Sequence, residues 1–221
     1  MVRRLPQLTL ALLGAAMVQA WASGRLMLLM AEEFHGLVLG SGLVLLMVAL
    51  LSLLKGQPLP RRRPRAAIVL AVVATLIIAV PPRPSFSLLG ADRKAAFLEG
   101  LAAGFALPPD QRSLVDWARI LRNSSDPEIF QGQAVKVQGF VLQRKGAPPS
   151  LARLVLRCCL ADATPVELAV RWPEDGPEPR EDQWLEVIGS MEVRQGASGV
   201  EAVVIPQRIR PIPRPKQPFS A

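Results

Sequence analysis

Two cysteines stand side by side, Cys158-Cys159, and they are the only thiols in the chain. Neighbours on a strand point to opposite faces. On an extended segment Cys158 is therefore expected in the core as a small hydrophobe. Cys159 is then expected outside, beside Arg157 and Arg153, whose charge favours the thiolate. Three states are open to the pair: two structural cysteines, a reactive or metal-binding Cys159 completed by a partner chain, or a vicinal disulfide that needs a strained turn. Two thiols fall short of a closed zinc site, and no histidine follows residue 35 to complete one.

The single histidine is His35, with Glu32 three residues before it. On a helix these two share a face and would hold a cation at a membrane surface; the alternative is a polar boundary residue. Catalysis finds little support. The C-terminal part lacks histidine, so it has no Ser/His/Asp set, and neither a phosphate loop nor a dinucleotide fingerprint occurs. The acids of residues 174–182 read as a solvated loop. No enzyme activity and no cofactor are expected.

The charge is unevenly placed. Residues 1–84 carry nine Lys/Arg and two acids, whereas residues 85–221 carry 17 against 16, so nearly all of the net +8 lies in the N-terminal third. There, basic clusters bracket apolar runs at residues 5–24, 36–54 and 66–80. Such a bias orients membrane helices, Lys and Arg staying on the cytoplasmic side. The first two runs are long enough for helices crossing a bilayer of about 30 Å. The third is short, and Arg65 and Arg83 would snorkel to the interfaces. Residues 55–65 hold five Lys/Arg and no acid, which places that loop in the cytoplasm. Three spans with an inside N-terminus then leave the C-terminal domain outside. Arg3-Arg4, an apolar core and Val18-Gln19-Ala20 also read as a cleavable signal peptide; that reading leaves the C-terminal domain on the same side. Gly36 and Gly40, with Gly42 and Gly14 nearby, suit close helix association. The absence of acids, lysine and histidine deep in the spans argues against a pore or pump formed by this chain alone.

Residues 85–130 read as a helical linker. Within it Ser113 is a predicted N-cap with Asp116 at the third position, and Leu114, Trp117, Ala118 and Leu121 form one apolar stripe. Asp126-Pro127 starts a further short turn. From residue 133 the period switches to two: Val135, Val137, Gly139 and Val141 alternate with Lys136, Gln138 and Phe140. Leu154, Leu156, Cys158 and Leu160 are expected on one face of the next strand. Five short strands within residues 131–206 predict a small all-β, OB-like barrel. Residues 207–221 read as a Pro-rich, extended tail. The expected architecture is thus a membrane protein of about three transmembrane helices, a short helix and an OB-like domain. Nucleic acid is not expected in the barrel, which has no Tyr and is near neutral.

Three stretches bear a family likeness. Pro127-Glu128-Ile129-Phe130-Gln131-Gly132 with Val135-Lys136-Val137-Gln138-Gly139-Phe140 resembles a P-E-x-[FY]-x-G-x-x-V-x-x-x-G-[FY] pattern. Cys158-Cys159-Leu160-Ala161-Asp162-Ala163-Thr164-Pro165 resembles C-C-x-A-D-A-x-P, and Trp184-Leu185-Glu186-Val187-Ile188-Gly189 resembles W-[VL]-x-[VI]-x-G. These patterns are those of the YcgQ-like family, regarded as accessory subunits of a two-component permease. The resemblance implies a polytopic permease partner in a bacterial cytoplasmic membrane, with Cys158, Cys159 and Asp162 as the residues of interest. Asp162 also reads as a turn residue capping backbone N–H groups. The rival function is a stand-alone, membrane-anchored binding or scaffold protein of the envelope.

Overall fold

A computed structural model describes residues 5–55, 85–91 and 107–220 apart from 175, 177, 197 and 198, with scattered helical positions between 66 and 76. The chain divides into two compact units. One is residues 1–83 with Cys158–Leu160, and the other is the remainder of residues 84–221.

In the first unit, helix α1 spans Leu5–Ala22 and α2 spans His35–Leu54. With the 3-10 turn Glu32–Phe34 before it, α2 makes a 23-residue helical run, long and apolar enough to cross a membrane, and only 11% of its most apolar 18-residue stretch is buried. Leu37, Leu50 and Leu54 are among its exposed side chains. The expectation of three spans narrows here. Residues 32–54 alone meet the length and apolarity among the described residues, and the helical stretch Gln7–Ala22 is shorter. Most of residues 66–80, and the basic loop after Lys55, lie outside the described residues. The two helices pack through glycine: a Cβ added at Gly14 would lie 2.8 Å from the Gly42 carbonyl oxygen. Gly36 and Gly40 face open space instead, with no described atom within 4 Å of an added Cβ.

The second unit begins with a short helix α3, Phe86–Ala91, followed by α4, Leu114–Asn123. The expected cap of α4 is present. Ser113 Oγ accepts from Asp116 N–H at 3.2 Å, and Asp116 Oδ2 accepts from Ser113 N–H at 3.0 Å, a capping box contributing about 0.5–2 kcal/mol. Asp126 likewise caps the 3-10 turn Pro127–Phe130 by accepting from Glu128 N–H. Gly132 then turns the chain at φ 74°, a conformation glycine adopts without a Cβ penalty.

Five strands follow: β1 Ala134–Leu142, β2 Ser150–Val155, β3 Thr164–Val170, β4 Trp184–Gly196 and β5 Gly199–Pro211. β1 pairs with both β2 and β4, β2 with β3, β4 with β5, and β3 runs parallel to β5. Every strand thereby has two neighbours and the sheet closes into a barrel, the OB-like architecture expected. β5 runs beyond residue 206, and β6, Phe219–Ser220, adds a parallel pair to β2 at Leu154 and Val155. Part of the Pro-rich tail is therefore sheet. A register shift at Gly189 lets β4 approach β5; a Cβ there would overlap the Ile205 carbonyl group.

Val135, Val137, Val141, Leu151, Val187 and Val204 belong to the buried barrel core, and Leu114, Val115 and Trp117 of α4 pack into it. Arg112 supports this end: its guanidinium lies 4.7 Å from the Trp117 ring centroid and donates to Gln133 Oε1 at 2.8 Å. The alternation in β1 breaks at Phe140, which is fully buried although it falls out of phase with the core positions. The cause is α3. Phe86 packs its ring against Phe140, Trp184 and Phe219 at 5.6, 5.8 and 5.6 Å. The start of α3 is held by Asp182, whose Oδ1 accepts from Ser87 N–H at 2.6 Å while Oδ2 accepts from the Ser85 hydroxyl. Ser87 Oγ donates to Glu181 Oε1 at 2.7 Å. Two acids of the supposed solvated loop are thus structural fasteners.

Candidate functional site

β2 ends at Val155, three residues before the cysteines. Beyond it, a 3-10 turn forms at Leu160–Asp162, and Asp162 Oδ1 accepts from Arg157 N–H at 3.0 Å. A carboxylate bonding a backbone N–H a few residues away offers the chain an alternative to the ladder. The segment therefore curls instead of continuing as a strand. This overturns two expectations, a buried Cys158 and side chains on opposite faces. Cys158 is exposed and Cys159 half-buried, and their Sγ atoms stand 3.5 Å apart. Cys158, Cys159 and Asp162 form a cluster in which one potential ligand atom from each lies within 4.8 Å of the others.

Within the first unit the Cys158–Leu160 segment is anchored by backbone. Ala31 N–H donates to Cys158 O at 3.0 Å, Leu160 N–H donates to Leu29 O at 2.8 Å, and Met30 forms an antiparallel bridge with Cys159. These backbone bonds hold the short segment that carries the two thiols. A spacing of 3.5 Å exceeds a disulfide bond of about 2.05 Å, and suits two donors to one soft ion.

Arg157 enters this site through its backbone N–H. Arg153 is engaged elsewhere: its guanidinium lies 5.2 Å from the Trp184 ring centroid and Nη1 donates to Pro218 O at 3.2 Å. Burial lowers its pKa from the ordinary arginine value. His35 begins α2, with Nε2 3.2 Å from Met30 O. Glu32 is exposed in the 3-10 turn before it. Neither joins a cluster of three potential ligands among the described residues.

Two features went unread in the sequence. On the barrel wall, Glu186 is buried and bridges three strands, accepting from Gln138 Nε2 and from Arg210 Nη2, each at 2.9 Å. The Gln138 hydrogen bond, then the Arg210 and Lys136 charges, hold its carboxyl below the usual range against the opposing effect of burial. The second feature is a cavity of about 430 Å³ lined by Trp172, Pro179, Arg180, Leu185 and Arg208 among others. It forms where the Pro-rich loop after β3 folds beside β4 and β5. Register pairing across strands would have pointed to Glu186; nothing local marks the cavity.

Fold and site together define a protein with an N-terminal helix long enough to span a membrane and a C-terminal OB-like barrel. Residues 112–220, from α4 through β6, match the family described as the DUF1980 C-terminal domain. No curated protein and no solved structure matches the chain.

Proposed function

We propose that this chain is the accessory subunit of a two-component membrane permease, its barrel docking on or gating a polytopic transport subunit from the extracytoplasmic side. The observation that carries the reading is α2. It is long enough to span a bilayer, yet many of its apolar side chains, Leu37, Leu43, Met47, Leu50 and Leu54 among them, are exposed. Such a surface needs lipid or partner helices, and the open small residues Gly36 and Gly40 suit a neighbouring helix. The basic stretch of residues 55–65 supports a cytoplasmic loop after α2. The DUF1980 match accords with the YcgQ-like resemblance.

The test is purification of the tagged chain from native membranes in mild detergent, with mass spectrometry of what co-elutes. A stoichiometric multi-span permease is the expected result. A solitary chain, reproduced after crosslinking before extraction, would instead favour a stand-alone envelope binding or scaffold protein.

A further inference from the structure

We propose that Cys158, Cys159 and Asp162 form a binding site for one thiophilic divalent cation of the zinc and cadmium type. Each residue supplies one ligand, and a fourth position stays open. Three observations converge on it. The sulfurs are 3.5 Å apart; with metal–sulfur bonds of about 2.3 Å, that gap subtends about 100° at the metal, near the tetrahedral angle. A carboxylate stands within the same 4.8 Å cluster. Its Oδ1 is oriented by Arg157 N–H, the kind of outer hydrogen bond that aims a ligating carboxylate.

The ligand chemistry sets the class of ion. Two sulfurs and one oxygen favour soft or borderline cations over Ca2+ and Mg2+, which take oxygen ligands. Binding converts two thiols to thiolates, so one cation enters and two protons leave. Three protein ligands with an open fourth position characterise sites that exchange ligands, whereas structural zinc is closed by four. The exposure of Cys158 gives an ion direct access. The inference does not rest on the permease reading; where both hold, the cation is the species the subunit receives or senses.

The experiment is a titration of the purified full chain in detergent, reduced, carrying a tag without histidine, with CdCl2 as the probe. The chain has no other thiols, so any ultraviolet thiolate-to-cadmium charge-transfer band reports this pair. Saturation at one cadmium per chain with release of two protons is expected. Cys158→Ser and Cys159→Ser should each weaken binding by at least about 10–100-fold, the loss that removing an outer partner already causes at metal sites. Asp162→Asn should weaken binding while keeping the sulfur band. Absence of a saturable band in the wild-type chain would overturn the site without recourse to any variant, as would unchanged affinity in either serine variant. Because no permease is present in the titration, its failure is distinct from failure of the co-purification.

Discussion

The ring centroids of Phe86 and Phe219 lie 5.6 Å apart, so residues from both ends of the C-terminal unit share one aromatic cluster on the barrel. Phe86 is 2% exposed. Truncating a buried Phe to Ala costs about 3–5 kcal/mol. Phe86→Ala should lower barrel stability by that amount in urea unfolding of the full chain in detergent, followed by tryptophan fluorescence. Leu88 lies on the same helix but is 74% exposed, and Leu88→Ala should change stability by less than about 0.5 kcal/mol. Equal effects of the two would mean that Phe86 does not reach the cluster.

Asp182 holds a positive φ of 61° while accepting from Ser87 N–H and Ser85 Oγ. Asp tolerates the left-handed region better than most residues. Asp182→Ala loses that tolerance and leaves the backbone N–H of Ser87, a buried residue, without its acceptor. A cost of about 1–3 kcal/mol is expected from the unsatisfied donor. The same unfolding assay checks it, and Asp182→Asn, which keeps an acceptor and suits this conformation, should recover much of the loss.

The pH response of the barrel should carry the mark of Glu186. Its pKa in the folded protein lies below the ordinary value, which for an unfolded Glu is about 4.3. The stabilisation it gives is therefore present above that pH and lost as pH falls through the folded pKa. Glu186→Gln should be less stable than wild type near neutral pH. The difference should shrink as the medium is acidified below about pH 4, measured as melting temperature against pH. A gap that stays constant well below about pH 4 would exclude this carboxylate as the source.

What the sequence disclosed, and what it hid, follows from how local each signal is. The capping box at Ser113 and Asp116 and the alternation of Val135 and Val137 depend on near neighbours, and both appear as expected. Phe140 broke the alternation because α3 covers it, and α3 is only six residues long, too short for a helical period to declare itself. The cysteines were misplaced for a related reason. Apolar residues continue at strand spacing through Leu160, with no Gly or Pro to mark the end of β2. The turn is imposed by the Asp162 bond to Arg157 N–H, a pairing across five residues that periodicity does not register. β6 has two residues and draws its existence from pairing with β2.

The packing of α1 on α2 offers a sharper test of the membrane unit, because its glycines divide into two sets. At Gly14 an added Cβ meets the Gly42 carbonyl oxygen at 2.8 Å and Leu46 Cγ at 2.9 Å, while at Gly40 it meets nothing within 4 Å. Close backbone approach is what small residues provide between membrane helices. A larger side chain at Gly14 must push the helices apart, at the cost of about 1–3 kcal/mol typical of overpacking. Gly14→Leu should therefore weaken the unit in mixed-micelle unfolding followed by circular dichroism. Gly40→Leu makes the same chemical change on an open face and should leave this unfolding unaltered. If Gly40→Leu proves as damaging as Gly14→Leu in the isolated chain, the helix pair does not close through Gly14 and Gly42.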